Sequence, residues 1–350
     1  MKSKNDIKTE YDTPLVKALK NAAERDKLRL HTPGHKGRLC KLDLTELTDD
    51  GFPADGVRSA EKNAANIYGA KHARFLCGGS SQGVKAAVFY AERCAVTDVN
   101  SHRSVFDGFK LSGKPYVTAG ERGSVYPLTV KQIADALEPK IEAVIVTTPT
   151  YYGYCADVDG IAEYCKKRGL LFIVDSAHGA HFGFSDKLPA SVAPRCDICN
   201  VSAHKTLSAL TQSALLFDNL HDGESAELGE VVDVMGTTSP SYLLYASIEY
   251  AVAKAATAET RAAYDALYAP TEQLKTEFPF LKNDDFTRLV LDCEALGIPA
   301  DRLNGALARR GVYSEKVDFK RIVFILTAEN TPEDVNALQS ELAASISELR

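Results

Sequence analysis

The 350-residue sequence lacks any apolar run that approaches the roughly 20 residues of a membrane span. Its N-terminal stretch contains no apolar core of the kind found in signal peptides, so we expect a cytoplasmic protein. A basic tract is also missing and the formal net charge is −6, which argues against nucleic acid as a partner. Hydrophobic residues make up 45% of the chain, enough for a full core.

Cysteine is present, but in no metal or disulfide pattern. Of the eight cysteines, only Cys196 and Cys199 form a C-x-x-C pair, and no second pair follows at zinc-finger spacing. The pair adjoins a predicted strand at 198–202, where a separation of three places side chains on opposite faces. We therefore expect reduced, structural thiols.

The two common glycine patterns of nucleotide-binding proteins, G-x-x-x-x-G-K-S and G-x-G-x-x-G, are also absent. Instead, a short apolar strand at 75–77 leads into Gly78-Gly79-Ser80-Ser81, and a strongly helical stretch runs from Val84. The N–H groups and the dipole at a helix N-terminus favour a bound anion. The alternative is an ordinary serine cap.

Two short apolar strands carry the residues that most clearly indicate chemistry. Leu171 to Val174 are followed by Asp175, and the strand at 198–202 is followed by His204-Lys205. Because open α/β sheets bind ligands at the carboxyl ends of their strands, we expect Asp175 and Lys205 in one crevice. This pair suits pyridoxal phosphate (PLP): the lysine forms the Schiff base and the aspartate pairs with the pyridinium nitrogen. Either residue alone would indicate only a turn cap or a solvated lysine.

Strands that alternate with helices predict an α/β fold with a mostly parallel sheet and right-handed crossovers. We expect an N-terminal segment at 1–40, a large PLP-binding domain at 41–235, and a linking helix with a small α+β domain at 236–350. In the last part, the pattern predicts one long helix at 242–263, strands at 282–291 and 321–327, and a final helix at 332–349.

Several segments resemble the bacterial ornithine/lysine/arginine decarboxylase family, which has the aspartate-aminotransferase fold (fold type I). They are D-S-A-H-G-A-H-F-G from Asp175, S-A-H-K-T-L-S-A-L-T-Q from Ser202, H-T-P-G-H-K-G from His31, S-H-R-S from Ser101 and T-T-S-P-S-Y from Thr237. The resemblance covers most of the chain, in order. Ser176 departs from the usual D-E-A-H-G. Longer members carry a further C-terminal domain, for which we expect no room here, so substrate recognition should differ more than cofactor binding.

The resemblance implies a role in catalysis or ring binding for five residues. Lys205 would form the Schiff base, and Asp175 would keep the ring nitrogen protonated. His102 would stack on one face of the ring, and Ala177 would pack on the opposite face. His178 would contact the phenolic oxygen of the ring.

The resemblance also implies where the cofactor phosphate lies. Ser80 and Ser81 would hold it, and Ser202 and His204 would reach it from the lysine segment. Thr238 would reach the phosphate of the neighbouring subunit, because the family builds its site across a dimer interface. The H-T-P-G-H-K-G loop would lie near the mouth of the site.

The implied activity is a PLP-dependent decarboxylation of arginine, lysine or ornithine to the amine and carbon dioxide, by a homodimer or higher oligomer. Transamination or another lyase step would use the same lysine and aspartate, and a shortened paralogue that partners a full-length decarboxylase also remains open. Glu315 and Asp318 are candidates for binding the basic side chain. Asp175, His178 and His181 form D-x-x-H-x-x-H, but a metal site would leave the lysine motif unexplained, so we predict no metal.

Overall fold

A seven-stranded sheet forms the centre of the computed structural model, which describes residues 13–25, 28–44, 54–91 and 93–350. Its strands are β1 His72–Leu76, β2 Cys94–Asp98, β3 Tyr116–Ala119, β4 Ile141–Thr147, β5 Leu171–Asp175, β6 Ile198–Val201 and β7 Ala214–Asp218. They lie in the order β1-β7-β6-β5-β4-β2-β3. The pairs from β3 to β6 are parallel, whereas β7 is antiparallel to β6 and to β1. The expected α/β fold with a mostly parallel sheet is confirmed.

The central strands are buried on both faces, which explains their uninterrupted apolar runs. In β4, Val144 and Val146 belong to one hydrophobic cluster, and Ala143 and Ile145 belong to the cluster on the other face. Helices cover the two faces. They are α1 Pro14–Arg25, α2 Ala54–Tyr68, α3 Gly79–Tyr90, α4 Arg103–Ser112, α5 Val130–Ala136, α6 Val158–Arg168, α7 Ala203–Thr206 and α8 Ala226–Val234.

A separate three-stranded antiparallel sheet, with its own hydrophobic cluster, follows in the chain. Its strands are β8 Arg288–Asp292, β9 Lys316–Val317 and β10 Arg321–Ile325, in the order β8-β10-β9. The helices of this part are α9 Tyr242–Ala255, α10 Ala258–Glu277, α11 Cys293–Leu296, α12 Ala300–Arg309 and α13 Pro332–Leu349. The final helix has the predicted bounds.

The structure corrects the long helix predicted at 242–263, which consists of two helices. Helix α9 ends at Ala255, and Thr257 caps α10 by accepting a hydrogen bond from the backbone N–H of Thr260 at 3.3 Å. The Thr257 hydroxyl also donates to the carbonyl of Lys254 at 2.7 Å. Sequence periodicity passes over such a break because apolar residues continue on both sides of it.

Three further expectations need correction. The strand predicted at 282–291 begins only at Arg288, because the backbone N–H groups of Asp284 and Asp285 bond to a distant loop. Helix α3 begins at Gly79, well before the predicted start at Val84. Cys196 and Cys199 both belong to the same hydrophobic cluster rather than to opposite faces, because Cys196 precedes the strand and the two-residue alternation does not reach it.

No helix within the described ranges is both long enough and apolar enough to cross a lipid bilayer.

Candidate active site

The strand ends bring together the two residues that the sequence singles out. Strand β5 ends at Asp175, and β6 leads through Ser202 into α7, which carries Lys205. A cavity of about 580 Å³ opens at this edge of the sheet. Its walls include Ser80, His102, Asp175, Ala177, His178 and Lys205. Six of the ten predicted site residues therefore share one cavity.

Lys205, which is half-buried, lies against the buried His178. The lysine Nζ is 3.1 Å from the imidazole Nε2. Burial is the largest influence on Lys205 and lowers the pKa of its amine, although Asp175 and Glu315 oppose the shift. Burial likewise holds the pKa of His178 well below its usual value. Both shifts act toward the uncharged forms, and the uncharged amine is the form in which a lysine is nucleophilic.

Asp175 is a buried carboxylate, 3% exposed, without an ion-pair partner among the described residues. Its Oδ1 accepts one hydrogen bond, from the backbone N–H of Ala177 at 3.1 Å. Burial raises the pKa of Asp175, while the charges of Lys205 and His102 act in the opposite direction. A carboxylate in this setting would be stabilised by a cation placed against it, such as a protonated pyridine nitrogen.

Several buried polar atoms around the strand ends have no hydrogen-bond partner among the described residues. They are the Oγ1 of Thr147, the Nδ1 of His178, both amide atoms of Asn200, the Oγ of Ser202 and the Oγ1 of Thr206. Buried polar groups in proteins are nearly always satisfied, so this concentration indicates a polar ligand. With a cavity, a lysine and a buried carboxylate beside them, these residues fit PLP.

Asn200 is a site residue that sequence reasoning missed. It pairs in register with Asp175 on the neighbouring strand and is 2% exposed. Helix α3 packs directly over it, since a Cβ added at Gly83 would lie 2.2 Å from the Asn200 Oδ1. The available signal was a single polar residue inside the apolar strand I-C-N-V, which is costly to bury without a role.

The residues predicted to bind the phosphate are only partly brought together. Ser80, in the first turn of α3, lines the cavity, whereas the neighbouring Ser81 does not. Ser202 is fully buried at the N-terminus of α7. His204 is engaged elsewhere, because its Nδ1 lies 2.9 Å from the carbonyl oxygen of Ser213. Of the four, Ser80 lines the cavity, and the Ser202 hydroxyl is buried without a hydrogen-bond partner among the described residues.

His102 caps α4 at the cavity wall. Its Nδ1 accepts a hydrogen bond from the backbone N–H of Ser104 at 3.2 Å and lies 2.8 Å from the Ser104 Oγ, which fixes the ring. Thr238, by contrast, is exposed and lies outside the cavity lining of this chain. The H-T-P-G-H-K-G loop lines a different, open surface depression through Gly34, His35 and Lys36.

Two tyrosines form a wall that the sequence analysis did not assign. The Tyr151 ring meets the His178 ring edge-on with centroids 4.7 Å apart, and its hydroxyl donates to Glu315 at 2.7 Å. The Tyr152 hydroxyl donates to Asp318, also at 2.7 Å. Both acids proposed for the substrate side chain therefore already hold tyrosines. The two tyrosines could have been found from the sequence by their position shortly after β4, at the carboxyl edge of the sheet.

Lys316 extends this wall from the three-stranded sheet. Its Nζ lies 4.4 Å from the centroid of the Tyr151 ring and reaches the cavity. Metal-binding clusters of three or more His, Cys, Asp or Glu side chains do not occur in the part of the chain that the structure describes. Instead, His181 pairs with Asp285 at 3.2 Å.

Comparison with known proteins defines the class that this fold and cavity represent. Residues 38–291 match the model of the Orn/Lys/Arg decarboxylase family, major domain. The chain belongs to this family of PLP-dependent amino acid decarboxylases, which are lyases, and the expected cofactor is confirmed.

Individual relatives agree with this assignment. The chain is 28% identical to the arginine decarboxylase of Bacillus cereus over 95% of this chain and 82% of the relative. It is 29% identical to the arginine decarboxylase of Bacillus subtilis over 71% of this chain and 56% of the relative. The structure of the Escherichia coli constitutive lysine decarboxylase superposes with a TM-score of 0.77 at 18% identity, covering 95% of this chain.

The fold is shared more widely. The serine palmitoyltransferase of Sphingomonas wittichii superposes with a TM-score of 0.69 at 16% identity, over 99% of this chain and 87% of the other. The present chain spans 60% of the length of the E. coli lysine decarboxylase chain.

Proposed function

We propose that this protein uses PLP to decarboxylate a basic amino acid, namely arginine, lysine or ornithine, releasing the amine and carbon dioxide. The observation that carries the proposal is the contact of Lys205 with His178 in the cavity that also contains Asp175. Membership of the decarboxylase family, with arginine and lysine decarboxylases among the relatives, supports this choice of substrate.

Each residue of the cavity would have a separate part in the reaction. When bound, PLP supplies the electron sink for the electrons of the bond broken at Cα. Lys205 would hold the cofactor covalently, and its 3.1 Å contact allows a proton to pass between its Nζ and the His178 Nε2. Asp175 would hold a proton on the ring nitrogen. His102 and Ala177 would orient the ring from its two faces, and the Tyr151 wall would exclude water from this side of the cavity.

The phosphate-binding residues remain part of the proposal. Ser80, Ser81, Ser202 and His204 would bind the phosphate of this subunit. In support, Ser80 lines the cavity and the buried Ser202 hydroxyl has no hydrogen-bond partner among the described residues. Thr238 is exposed in one chain, as a residue that serves a neighbouring subunit must be.

The division into segments 1–40, 41–235 and 236–350 and the homodimer or higher oligomer belong to the same proposal. So do the absence of a nucleic-acid partner and the cytoplasmic location. Limited proteolysis would test the division into segments, light scattering would test the oligomeric state, and cell fractionation would test the location.

The direct test is turnover by the purified, PLP-loaded protein with arginine, lysine and ornithine. We expect equal amounts of amine and carbon dioxide from at least one of them, and none from the Lys205→Ala variant. A keto acid product would instead indicate transamination. Lack of turnover together with specific capture of a full-length decarboxylase subunit would indicate a shortened paralogue.

A further inference from the structure

Arg288 carries a buried guanidinium group that donates no hydrogen bond to any of the described residues. The residue is 0% exposed and opens strand β8. None of its Nε, Nη1 and Nη2 atoms has a hydrogen-bond partner within the described ranges. A fully buried cation in this state is costly for the fold, and such groups are retained mainly where they serve another purpose.

The backbone around Arg288 is fixed against the tyrosine wall. The Asn283 side-chain N–H group donates to the carbonyls of both Tyr152 and Arg288, each at 2.8 Å. Gly153, at φ +84°, packs against the same residue, and a Cβ added there would lie 2.8 Å from the Arg288 Cβ. Hydrogen bonds and close packing thus hold the start of β8 against the turn that carries Tyr151.

Asp285, the acid with the strongest influence on Arg288, is already engaged by other groups. It accepts a hydrogen bond from the Thr287 hydroxyl at 2.6 Å and lies 3.2 Å from the His181 Nε2. Burial opposes its ionisation, but His181 and then Arg288 hold its pKa down at about 2. Thr287 occupies the Asp285 Oδ1, whereas the Oδ2 has no hydrogen-bond partner among the described residues and only the contact with His181. Neither oxygen bonds to Arg288, so the positive charge of Arg288 is only partly balanced.

We propose that Arg288 is a positioning residue for Lys205: a permanent buried cation, anchored by β8, that disfavours a second positive charge at the lysine. The inference rests on the proposed function only in that Lys205 is the reactive residue. The inference is supported by the position of Arg288. Its backbone is held against the turn that carries Tyr151, and the Tyr151 ring meets the ring of His178, which contacts Lys205.

The effect of Arg288 on the pKa of Lys205 has the direction that this role requires. Burial is the largest factor that lowers the pKa of Lys205, and Arg288 lowers it further, whereas Asp175 and Glu315 raise it. Arg288 also lowers the pKa of His178, second to burial. Burial lowers the pKa of Arg288 itself, while Asp285, Tyr151 and Glu315 raise it. An arginine nevertheless stays protonated in proteins. A lower amine pKa keeps Lys205 neutral, and able to attack a carbonyl, over a wider pH range.

The test measures the protonation of Lys205 without turnover. The full-length chain, freed of PLP, is treated with acetic anhydride across a pH series, and the acetylation rate of Lys205 is read by peptide mass spectrometry. Exposed Lys110 in the same digest corrects for loss of reagent. We compare wild type with Arg288→Met, which keeps the apolar stem but removes the charge, and with Arg288→Lys, which keeps the charge.

We expect Arg288→Met to raise the pH midpoint of Lys205 labelling by about one unit, the scale of one nearby charge. Arg288→Lys should stay near wild type. The control Arg309→Met removes an exposed arginine that pairs with Glu348 and should change nothing. The melting temperature of Arg288→Met should not fall, because replacing a buried ion by an apolar group of similar size is often neutral or stabilising.

An unchanged midpoint in folded Arg288→Met, or an equal shift in Arg288→Lys, would overturn the proposal. If Arg288→Met does not fold, Arg288→Gln takes its place. If neither folds while Arg288→Lys does, the charge serves the fold alone and the proposal is again wrong. A protein that shows the expected shift but releases no carbon dioxide from any basic amino acid would contradict the proposed function and leave this inference standing.

Discussion

At the scale of single residues, the environment of Lys205 determines what the site can do. An exposed lysine is protonated at neutral pH and cannot attack a carbonyl. Burial and the nearby Arg288 lower the pKa of Lys205, while Asp175 and Glu315 limit the shift. The amine therefore lies between two opposing influences, and small changes in the surrounding charge should alter its reactivity.

The covalent attachment predicts a single labelled lysine. After PLP loading and borohydride reduction, peptide mapping should find the pyridoxyl group on Lys205. The Lys205→Ala variant should carry no label and should lose the yellow colour of the loaded protein. A label on another lysine in the wild type would show that the cavity around His178 and Asp175 is not the cofactor site.

Asp175 should matter for turnover much more than for cofactor attachment. Asp175→Asn keeps the shape of the side chain but cannot hold a proton on the ring nitrogen by charge. We expect the variant still to attach PLP and to lose at least about 100-fold in kcat, the scale of one preorganised electrostatic group. The control Asp135→Asn, in an exposed pair with Lys131, should keep full activity. Equal turnover in Asp175→Asn would contradict the role given to this carboxylate.

At the scale of elements, the close approach of α3 to β6 holds Asn200 in place. A Cβ at Gly83 would lie 2.2 Å from the Asn200 Oδ1 and 2.8 Å from the Leu76 Cδ1, so even alanine does not fit without movement. The helix that carries Ser80 and the strand that carries Asn200 therefore have a fixed spacing. Any side chain at position 83 should separate them.

Gly83→Ala should consequently destabilise the protein by about 1–3 kcal/mol, the usual cost of overpacking, and should weaken PLP binding. Gly305→Ala is the matched control, a helical glycine whose added Cβ meets only the flexible end of Arg309 at 3.9 Å. That variant should be stabilised by about 0.5–1 kcal/mol, because alanine favours the helix. Thermal unfolding and PLP titration would compare the two, and equal stability of both variants would contradict this packing argument.

The elements also show what could be predicted from the sequence. Helix α13 at 332–349 has the bounds expected from local pattern, since a strong cap at Thr331 and a proline in its first turn decide its start locally. The start of β8 was misplaced because its boundary depends on bonds from Asp284 and Asp285 to the distant Gly153 carbonyl. Tertiary contacts of this kind leave no periodic signal.

The candidate site likewise contains residues that could be predicted from the sequence and residues that could not. Asp175 and Lys205 could be predicted because each directly follows a recognisable strand. Tyr151 offered only the weaker signal of its position after β4, and Arg288 offered none, because the importance of both comes from contacts between the two sheets. Arg288 reads in the sequence as one more charged residue at a strand edge, and only its complete burial marks it as unusual.

At the scale of the whole molecule, the wall of the cavity depends on both sheets. Lys316, from the three-stranded sheet, lies over Tyr151, and Glu315 holds the hydroxyl of the same tyrosine. The cofactor residues come from the seven-stranded sheet. Changes in the smaller sheet should therefore affect the substrate more than the cofactor.

Glu315→Gln tests this separation. The glutamine can still accept the Tyr151 hydrogen bond but loses the negative charge beside the cavity. We expect PLP loading to stay within about twofold of wild type and KM for a basic amino acid to rise several-fold, as for loss of one partly exposed charge contact. The control Glu341→Gln, on α13 and paired with Arg310, should leave both unchanged. An unchanged KM in Glu315→Gln would exclude Glu315 from substrate binding.

The largest scale is the assembly, where Thr238 should act on a neighbouring subunit. Thr238 is exposed and lies outside the cavity of its own chain, so one chain alone does not use it there. If Thr238 completes the partner's phosphate site, Lys205→Ala and Thr238→Glu are each inactive for a different reason. In a mixed dimer, one of the two sites combines an intact Lys205 with an intact Thr238. Random reassociation of equal amounts should therefore restore about a quarter of wild-type activity, since half of the dimers are mixed and each contains one complete site. Two batches of the same variant, treated alike, should restore none. An active monomer by light scattering, or no recovery in a mixture proven to contain mixed dimers, would show that Thr238 does not serve a shared site.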